Sequence, residues 1–308
     1  MLRVHEEIDR VVFESDMVRI GAFRCHPDNP SFQDTGPAQN YCFVFPRTAV
    51  EIQHEHEPAF VGNPNVVTFY NAGQPYWRNA ISPEGDRCDW FGMEPCVVRD
   101  AVRGFYPDVD ERRDRLFQFS RGWSDAQTYL LQRRLFSWIA SGISVDPLAV
   151  DETVIELLDR VLRRTGTSSV SGSRPEIGRS HRETVHEIET LLSSRVEDRL
   201  TLGAIARSVG LSAYHVCRLF RRVTGTNLHQ YRRRLRIREA LTDVLESSRS
   251  LTEIALDAGF SSHSHFTDIF RQEFQTTPSS LRAQNSQDHP PSNFLIARSG
   301  GAAIAVCR

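Results

Sequence analysis

The most constraining feature of this 308-residue sequence is an internal duplication in its C-terminal third. The stretches LTLGAIARSVGLSAYHVCRLFRR and SLTEIALDAGFSSHSHFTDIFRQ share one order: a helix-forming run, a turn that contains glycine, and a second run that opens on serine. Gly210 corresponds to Gly259 and Phe220 to Phe270, so the offset grows from 49 to 50 residues at the turn. The pattern predicts two helix-turn-helix units, the second with one extra residue in its turn.

Each copy also predicts its own core and helix ends. Gly210 and Gly259 stand where the first helix must stop, because glycine adopts a left-handed turn at no steric cost. Ser212 and Ser262 are placed to cap the amides that open the second helix. The predicted core residues are Leu202, Ile205, Ala206, Leu211, Val216, Leu219 and Phe220 in the first copy and Leu251, Ile254, Ala255, Phe260, Phe266, Ile269 and Phe270 in the second.

The opposite side of each second helix is then expected to face outward. It carries Ala213, Tyr214, Cys217, Arg218 and Arg221 in the first copy and His263, Ser264, Thr267, Asp268 and Arg271 in the second. Any solvated helix has a polar side, but the same arrangement in both copies favours contact with base edges in a major groove.

Charge and composition agree with an anionic partner for this region. All 37 basic residues are arginine, whose planar fork suits phosphate and guanine. Residues 181–283 hold 15 arginines against 12 acidic residues, whereas the rest of the chain is acidic. The 40% apolar content and the lack of a long apolar run predict a globular, cytoplasmic protein, associated with the nucleoid if it binds DNA. Six cysteines without a CxxC pair indicate neither a zinc knuckle nor a disulfide framework, and no cofactor is predicted.

Short runs with turn signals between them fill the N-terminal third. The segments MVRIGAFRC, YCFVFP, AVEIQHEH, VVTFY and RCDWFGM predict an antiparallel β-barrel over residues 1–105. Residues 106–164 have helical periodicity; the first of two helices is apolar enough for a dimer interface, and packing onto its own barrel explains it equally well. A linker is predicted at 165–180 and a loose tail at 284–308. The predicted fold class is α+β and multidomain.

Residues 181–282 resemble the AraC/XylS family of transcriptional regulators. The resemblance rests on the AIARSVGLS turn, the RLFRRVTG close of the first unit, the LRIREA run, the EIALDAGFSSHSHF turn and the final PSSLR. It implies a double helix-turn-helix domain over 181–283, a long joining helix at about 229–246, and insertion of both second helices into successive major grooves. It also implies an activator that contacts RNA polymerase and a cupin-like sensor domain at the N-terminus.

By position, the resemblance implies base contacts and phosphate contacts in both units. The base-reading set is Tyr214, Cys217, Arg218, His263, Ser264, Thr267 and Asp268, and the phosphate set is Arg221, Arg222, Arg232 and Arg271. Arg236 and Ala240 match positions that are structural in the family. Asp268 stands where a basic residue is common, and Gln275 where glycine is usual. We therefore expect the second unit to contribute less affinity than the first. Cys217 is read as a small tolerated side chain, although its oxidation would block binding.

Two histidine pairs are candidate metal ligands by their spacing. His263 and His265 lie about 200° apart on a helix, so they cannot share an ion, and His265 is expected to face partly inward. His54 and His56 are expected on one face of a strand with Val50 and Ile52, but a third histidine is missing and only Cys88 or Glu94 could replace it. The alternative function, a cupin-type metal-dependent enzyme with an accessory helical domain, needs such ligands. No metal and no catalytic residue are predicted.

The N-terminal domain is instead expected to hold an effector, a small molecule or a protein. Its predicted pocket residues are His54, His56, Tyr41, Phe43, Phe69, Tyr76 and Trp90. Each aromatic residue, taken singly, is better explained by packing in the barrel core. The expected partners are therefore double-stranded DNA, RNA polymerase, an effector and a second copy of the chain, with no membrane.

Overall fold

A computed structural model of the chain describes residues 8–106, 109–111, 115–141, 145–170, 178–196 and 200–285, with side chains for all of these except 166–170. The strands are β1 Asp9–Glu14, β2 Val18–Cys25, β3 Tyr41–Pro46, β4 Val50–His54, β5 Phe60–Gly62, β6 Val66–Tyr70, β7 Tyr76–Ala80, β8 Asp86–Met93 and β9 Arg121–Trp123. The helices are α1 Pro95–Arg103, α2 Ala126–Ala140, α3 Pro147–Val170, α4 Arg179–Ser194, α5 Leu202–Ser208, α6 Ala213–Thr224, α7 Leu228–Glu246, α8 Leu251–Asp257, α9 His263–Phe274 and α10 Pro278–Asn285.

The strands form two antiparallel sheets. Six strands pair in the order β1-β2-β8-β3-β6-β9 and three in the order β5-β4-β7. The predicted antiparallel character is confirmed, and the five predicted segments coincide with β2, β3, β4, β6 and β8. The predicted closed barrel is not seen among the described pairings. Its physical reason is that β3 pairs with β6 and β8 while β4 pairs with β5 and β7, so no described strand joins the two sheets.

The six-stranded sheet is covered on both faces. Alternate residues such as Phe23, Val44 and Cys88 point towards the three-stranded sheet and pack with its Val50 and Ile52. Residues of the other face pack against helices α1, α2 and α3. Helix α3 runs through residue 170, into the segment predicted as a linker, and residues 171–177 of that segment lie outside the described residues. Of the predicted tail, residues 284 and 285 belong to α10 and the remainder also lies outside.

Both helix-turn-helix units form as predicted. Helices α5 and α8 begin 49 positions apart, and α6 and α9 begin 50 positions apart, so the extra residue lies in the second turn. Gly210 and Gly259 both have positive φ, 66° and 74°. The predicted cores are buried except at three positions: Leu202 and Leu211 of the first unit are 40% and 37% exposed, and Leu251 of the second unit is half-buried. Leu202 begins its helix and Leu211 lies in the turn, and neither position is covered by a neighbouring helix.

Helix α7 joins the two units and also makes several of the contacts with the N-terminal half. Near its start, Tyr231 accepts a hydrogen bond from Asn63 Nδ2 on its hydroxyl at 2.7 Å, and its carbonyl accepts one from Asn65 Nδ2 at 3.0 Å. Arg238, 1% exposed, donates to the carbonyls of Pro64 and Ser124. The N-terminal half therefore contacts α7 at more than one point along the helix. Among the described residues, no helix is both long and apolar enough to cross a membrane.

Candidate nucleic-acid interface

Helix α6 is held in place at both ends and along one side. The Ser212 hydroxyl accepts a hydrogen bond from the His215 amide, as predicted for its cap, and Gly225 ends the helix with φ 75°. Val216, Leu219 and Phe220 are buried against the rest of the first unit. The helix can therefore present only its other side to a partner.

That outer side of α6 is arginine-rich and open. Tyr214 is 64% exposed, and Cys217, Arg218, Arg221 and Arg222 are exposed as well. Arg218 Nη1 donates to the Tyr214 hydroxyl at 3.0 Å, and its guanidinium carbon lies 5.5 Å from the centre of the Tyr214 ring. An arginine supported by stacking in this way loses less freedom when it binds, so the side chain is partly prepared for a forked contact.

Helix α9 repeats the arrangement with different chemistry. Its Ser262 cap accepts from the His265 amide, as predicted. His263, Ser264, Asp268 and Arg271 are exposed, whereas Thr267 is half-buried and its hydroxyl has no hydrogen-bond partner within the described part of the chain. The outer side of α9 thus holds one arginine and one carboxylate, and it is less basic than that of α6.

Two residues of the second unit differ from simple expectation. His265, expected to face partly inward, is exposed; its Nδ1 lies 3.1 Å from Ser261 Oγ and its ring stands against Phe260 at 5.6 Å. Gln275 ends α9 with φ 60°, the left-handed conformation that Gly225 adopts in the first unit. A side chain in that conformation is strained.

Arg232 and Arg236 of α7 donate hydrogen bonds to backbone carbonyls of the protein itself. Arg236 Nε donates to the carbonyl of Val196 at 2.6 Å and Nη1 to that of Gly259 at 3.1 Å, so it ties α4 to the second turn. This agrees with the structural role implied for it. Arg232 Nη2 donates to the Arg195 carbonyl at 3.2 Å and is half-buried, whereas the other three predicted phosphate contacts are exposed.

Comparison with known proteins places this C-terminal region. A helix-turn-helix domain profile matches residues 205–284. The regulatory protein SoxS of Salmonella typhimurium is 30% identical over 103 residues, which cover 33% of this chain and 96% of that protein. The chain belongs to the AraC/XylS family of transcriptional regulators.

Other AraC/XylS relatives extend the comparison. The HTH-type transcriptional activator RhaS of Salmonella agona is 26% identical over 267 residues, which cover 77% of this chain and 89% of that protein. A crystal structure of a transcriptional regulator from Chromobacterium violaceum, described as AraC-type, is 33% identical over 36% of this chain and 98% of that chain, with a TM-score of 0.33. The similarity to SoxS is confined to one third of the chain, and that to RhaS, at 77% of the chain, extends into the N-terminal half.

The N-terminal half of this AraC/XylS protein contains a cavity of about 790 Å³. Of the residues predicted for an effector pocket, Tyr76 and Trp90 line it. Tyr41, Phe43 and Phe69 do not: they lie on the helix-facing side of the six-stranded sheet, where Phe43 stacks on Phe91 at 5.2 Å. Strand alternation separates the two groups, because neighbouring residues of one strand face opposite sides.

The predicted histidine pair is split. Strand β4 ends at His54, and His56 turns away with φ 64°, so the two imidazoles do not share a face. The His56 side chain is 89% exposed, whereas His54 is fully buried beside the rings of Phe60, Tyr70 and Tyr76. Burial, followed by the nearby Arg115, lowers the pKa of His54 to about 4, which keeps it neutral. Within the part of the chain that the structure describes, no group of three or more His, Cys, Asp or Glu residues could hold a metal ion.

Sequence reasoning missed the charged residues of the interior. Arg78 and Asp86 form a buried pair at 2.8 Å in the cavity wall, and Arg133 is completely buried between Asp89 and Glu246. Arg78 was detectable in principle, because it follows Tyr76 at the strand spacing of two and so shares its inward face. Arg133 carried no such signal, since the helical periodicity around it was read from apolar residues alone.

Proposed function

We propose that the chain is a one-component transcriptional activator. Helices α6 and α9 read two successive major grooves of one duplex, and the two-sheet N-terminal half acts as a cupin-like sensor of a small molecule. The proposed domains have the limits predicted from sequence: a sensor at 1–105, a segment that dimerises at 106–164 and a DNA-binding domain at 181–283. RNA polymerase and a second copy of the chain are its further partners.

The observation that carries the proposal is the duplicated exposed face of α6 and α9. In both units the second helix buries a matching set of apolar residues and leaves the opposite side open to solvent. Arg218 is the strongest base contact that we propose, because a forked arginine-to-guanine contact discriminates by about 1–3 kcal/mol. Tyr214, Cys217, His263, Ser264, Thr267 and Asp268 complete the base-reading set.

The two units are expected to contribute unequally. The α6 face carries Arg218, Arg221 and Arg222, whereas the α9 face holds Arg271 and Asp268, whose carboxylate repels phosphate, although it can accept a hydrogen bond from a cytosine amino group. Thr267 can take part only with its exposed fraction, since its hydroxyl is buried. We therefore assign most of the affinity to α6 and its phosphate contacts.

Activation and sensing are supported by separate observations. The relative RhaS, whose similarity extends through 77% of this chain, is named a transcriptional activator. A sensing role is supported by the cavity of about 790 Å³, a volume typical of small-molecule sites. The cavity is lined in part by Cys42 and Val44 of β3, and Arg47, which directly follows β3, pairs with Glu246 at the end of α7, so a ligand has a short route to the DNA-binding half.

Genome-wide mapping of bound DNA, followed by footprinting on the strongest site, tests the proposal. We expect protection of two half-sites on one face of the duplex, about one helical turn apart. Binding should weaken steeply as salt rises, because arginines displace counterions from phosphate. Protection of a single groove, or an affinity that does not change with salt, would contradict the proposal that α6 and α9 both bind the duplex.

A further inference from the structure

The inner wall of the N-terminal cavity carries a buried ion pair that joins the two sheets. Arg78 Nη1, on β7, donates to Asp86 Oδ2, on β8, at 2.8 Å, and both side chains are nearly inaccessible. The guanidinium carbon of Arg78 lies 4.4 Å from the centre of the Phe23 ring and 5.4 Å from that of Phe32. The pair is therefore held rigidly, with a donor and an acceptor side by side.

A fixed aromatic surface forms another part of the wall. The Trp90 indole lies directly over Gly21, in the space that a Cβ would occupy, at 2.3 Å from its ideal position. Trp90 Nε1 donates to Asp9 Oδ1 at 2.6 Å, which fixes the rotation of the ring. Tyr70 and Tyr76 add two more rings, 4.9 Å apart and edge to face. Flat ligands gain from such preorganised rings.

The charges around the cavity are balanced. Its lining contains three acidic and three basic residues, Asp9, Asp34, Asp86, Arg10, Arg19 and Arg78. At the inner wall Arg78 and Asp86 neutralise each other, so a ligand carboxylate would approach Asp86 as closely as Arg78, and a ligand cation would meet the reverse problem. Burial raises the pKa of Asp86 in spite of Arg78, as expected where added charge is unfavourable. Neither charged type gains a net attraction.

We propose that this cavity binds uncharged aromatic or heteroaromatic molecules with a hydrogen-bond donor and acceptor side by side, as in an aromatic amide. The ligand carbonyl accepts from Arg78, its N–H donates to Asp86, and its ring packs against Trp90 and Phe23. The inference deepens the proposed sensing role of the N-terminal half and rests on it. It names the class of effector that the sensor would take.

Three probes with one ring system and different head groups test the charge preference. The full-length protein is titrated with 2-naphthamide, which is neutral, 2-naphthoate, which is anionic, and 2-naphthamidine, which is cationic, by calorimetry and by saturation-transfer NMR. We expect naphthamide to bind at least tenfold more tightly than either charged probe. Equal or tighter binding of naphthoate or naphthamidine, or binding of none of the three, would overturn the proposal.

Two sets of variants locate the binding. Asp86→Asn removes the carboxylate that competes with an anion, so naphthoate should gain at least tenfold and overtake naphthamide; an unchanged order would contradict the assigned wall. Trp90→Leu should weaken naphthamide at least fivefold, whereas the matched variant Trp77→Leu, at an exposed tryptophan that is 41% accessible and outside the cavity lining, should not. The tryptophan pair keeps the test valid if Asp86→Asn does not fold.

DNA binding is measured separately so that the two proposals can fail independently. Naphthamide that binds in the expected order and changes operator affinity supports both. Binding in that order without any effect on operator affinity supports the ligand class and contradicts the sensing role. If the ligand-free protein does not bind operator DNA, the proposed regulator is contradicted, while the relative affinities of the three probes still test the ligand class.

Discussion

Arg47 and Glu246 lie 199 positions apart in the sequence, and Arg47 Nη2 donates to Glu246 Oε2 at 2.7 Å. Arg47 follows β3, and Glu246 is the last residue of α7. Asp89 on β8 and Arg133 on α2 complete a ring of alternating charges, in which Arg133 contacts both carboxylates and Arg47 lies 3.7 Å from Asp89. The ring links β8, the strand that carries both Asp89 and Trp90, to α7, the helix that joins both helix-turn-helix units.

Removing the charge of Glu246 should weaken this link. In Glu246→Gln, the buried Arg133 and Arg47 keep only Asp89, so we expect the free energy of unfolding to fall by about 1–3 kcal/mol, less than for a fully buried pair because Glu246 is one-third exposed. Urea denaturation measures the loss. The control is Asp257→Asn, which breaks an exposed pair with Arg249 and should cost at most about 0.5 kcal/mol. Equal losses in the two variants would show that the ring is not a stabilising link.

Arg218 and Arg222 should divide base reading from phosphate binding. Arg218→Ala is expected to lower discrimination between operator and scrambled duplex by about 1–3 kcal/mol while mostly sparing non-specific affinity. Arg222→Ala should weaken both duplexes alike and reduce the salt slope by about one. Gel-shift titrations over a salt series measure both effects, with Arg103→Ala on the distant α1 as the control. Identical behaviour of the two α6 variants would refute the division.

The left-handed residues that end α6 and α9 allow a reciprocal exchange. Gln275→Gly should stabilise the chain by about 0.5–1 kcal/mol, because glycine adopts φ 60° without strain. Gly225→Gln should destabilise it by a similar amount, since nothing near Gly225 would compensate. Thermal unfolding of both variants gives the comparison. A loss of stability in Gln275→Gly would mean that the glutamine side chain contributes more than its backbone conformation costs.

His54 should make the stability of the protein depend on pH. Its pKa is about 4 in the folded chain, because of burial and Arg115, and about 6.5 when unfolded, so the unfolded state binds more protons between these values. Stability is therefore expected to fall as pH is lowered from about 6.5 to 4, by on the order of 2–3 kcal/mol. In His54→Phe, which removes two ring nitrogens without partners in the described structure, this slope should flatten and stability at neutral pH should not drop. Urea unfolding midpoints of both proteins at several pH values test this. An unchanged slope in the variant would mean that a group other than His54 causes the pH dependence.

The C-terminal half was predictable from sequence because its signals are local. The glycine turns, the serine caps and the one-residue shift between copies follow from spacing along the chain, and each agrees with the structure. Leu202 and Leu211 were misjudged because helical periodicity shows which side a residue faces and does not show whether a neighbour covers it.

The N-terminal half was predicted less completely because its contacts are distant in sequence. Strand β9 pairs with β6 across more than fifty positions, and its three residues carry no alternation of their own. Phe43 and Phe69 were assigned to a pocket because aromatic residues suit one, yet the face of the sheet is decided by which strands pair. The pairing of Arg133 with Asp89 and Glu246 required the tertiary structure.

The contacts at the two ends of α7 limit how this protein can change in length. Tyr231 and Glu246 are 15 residues apart on one helix, and both bind the N-terminal half. An inserted residue between them would turn one end by about 100° and shift it by about 1.5 Å, which would break one of the two attachments. Insertions and deletions in α7 are therefore constrained by its contacts with the N-terminal half of the protein as well as by the pitch of a DNA duplex. Fusions between relatives should be joined outside this helix.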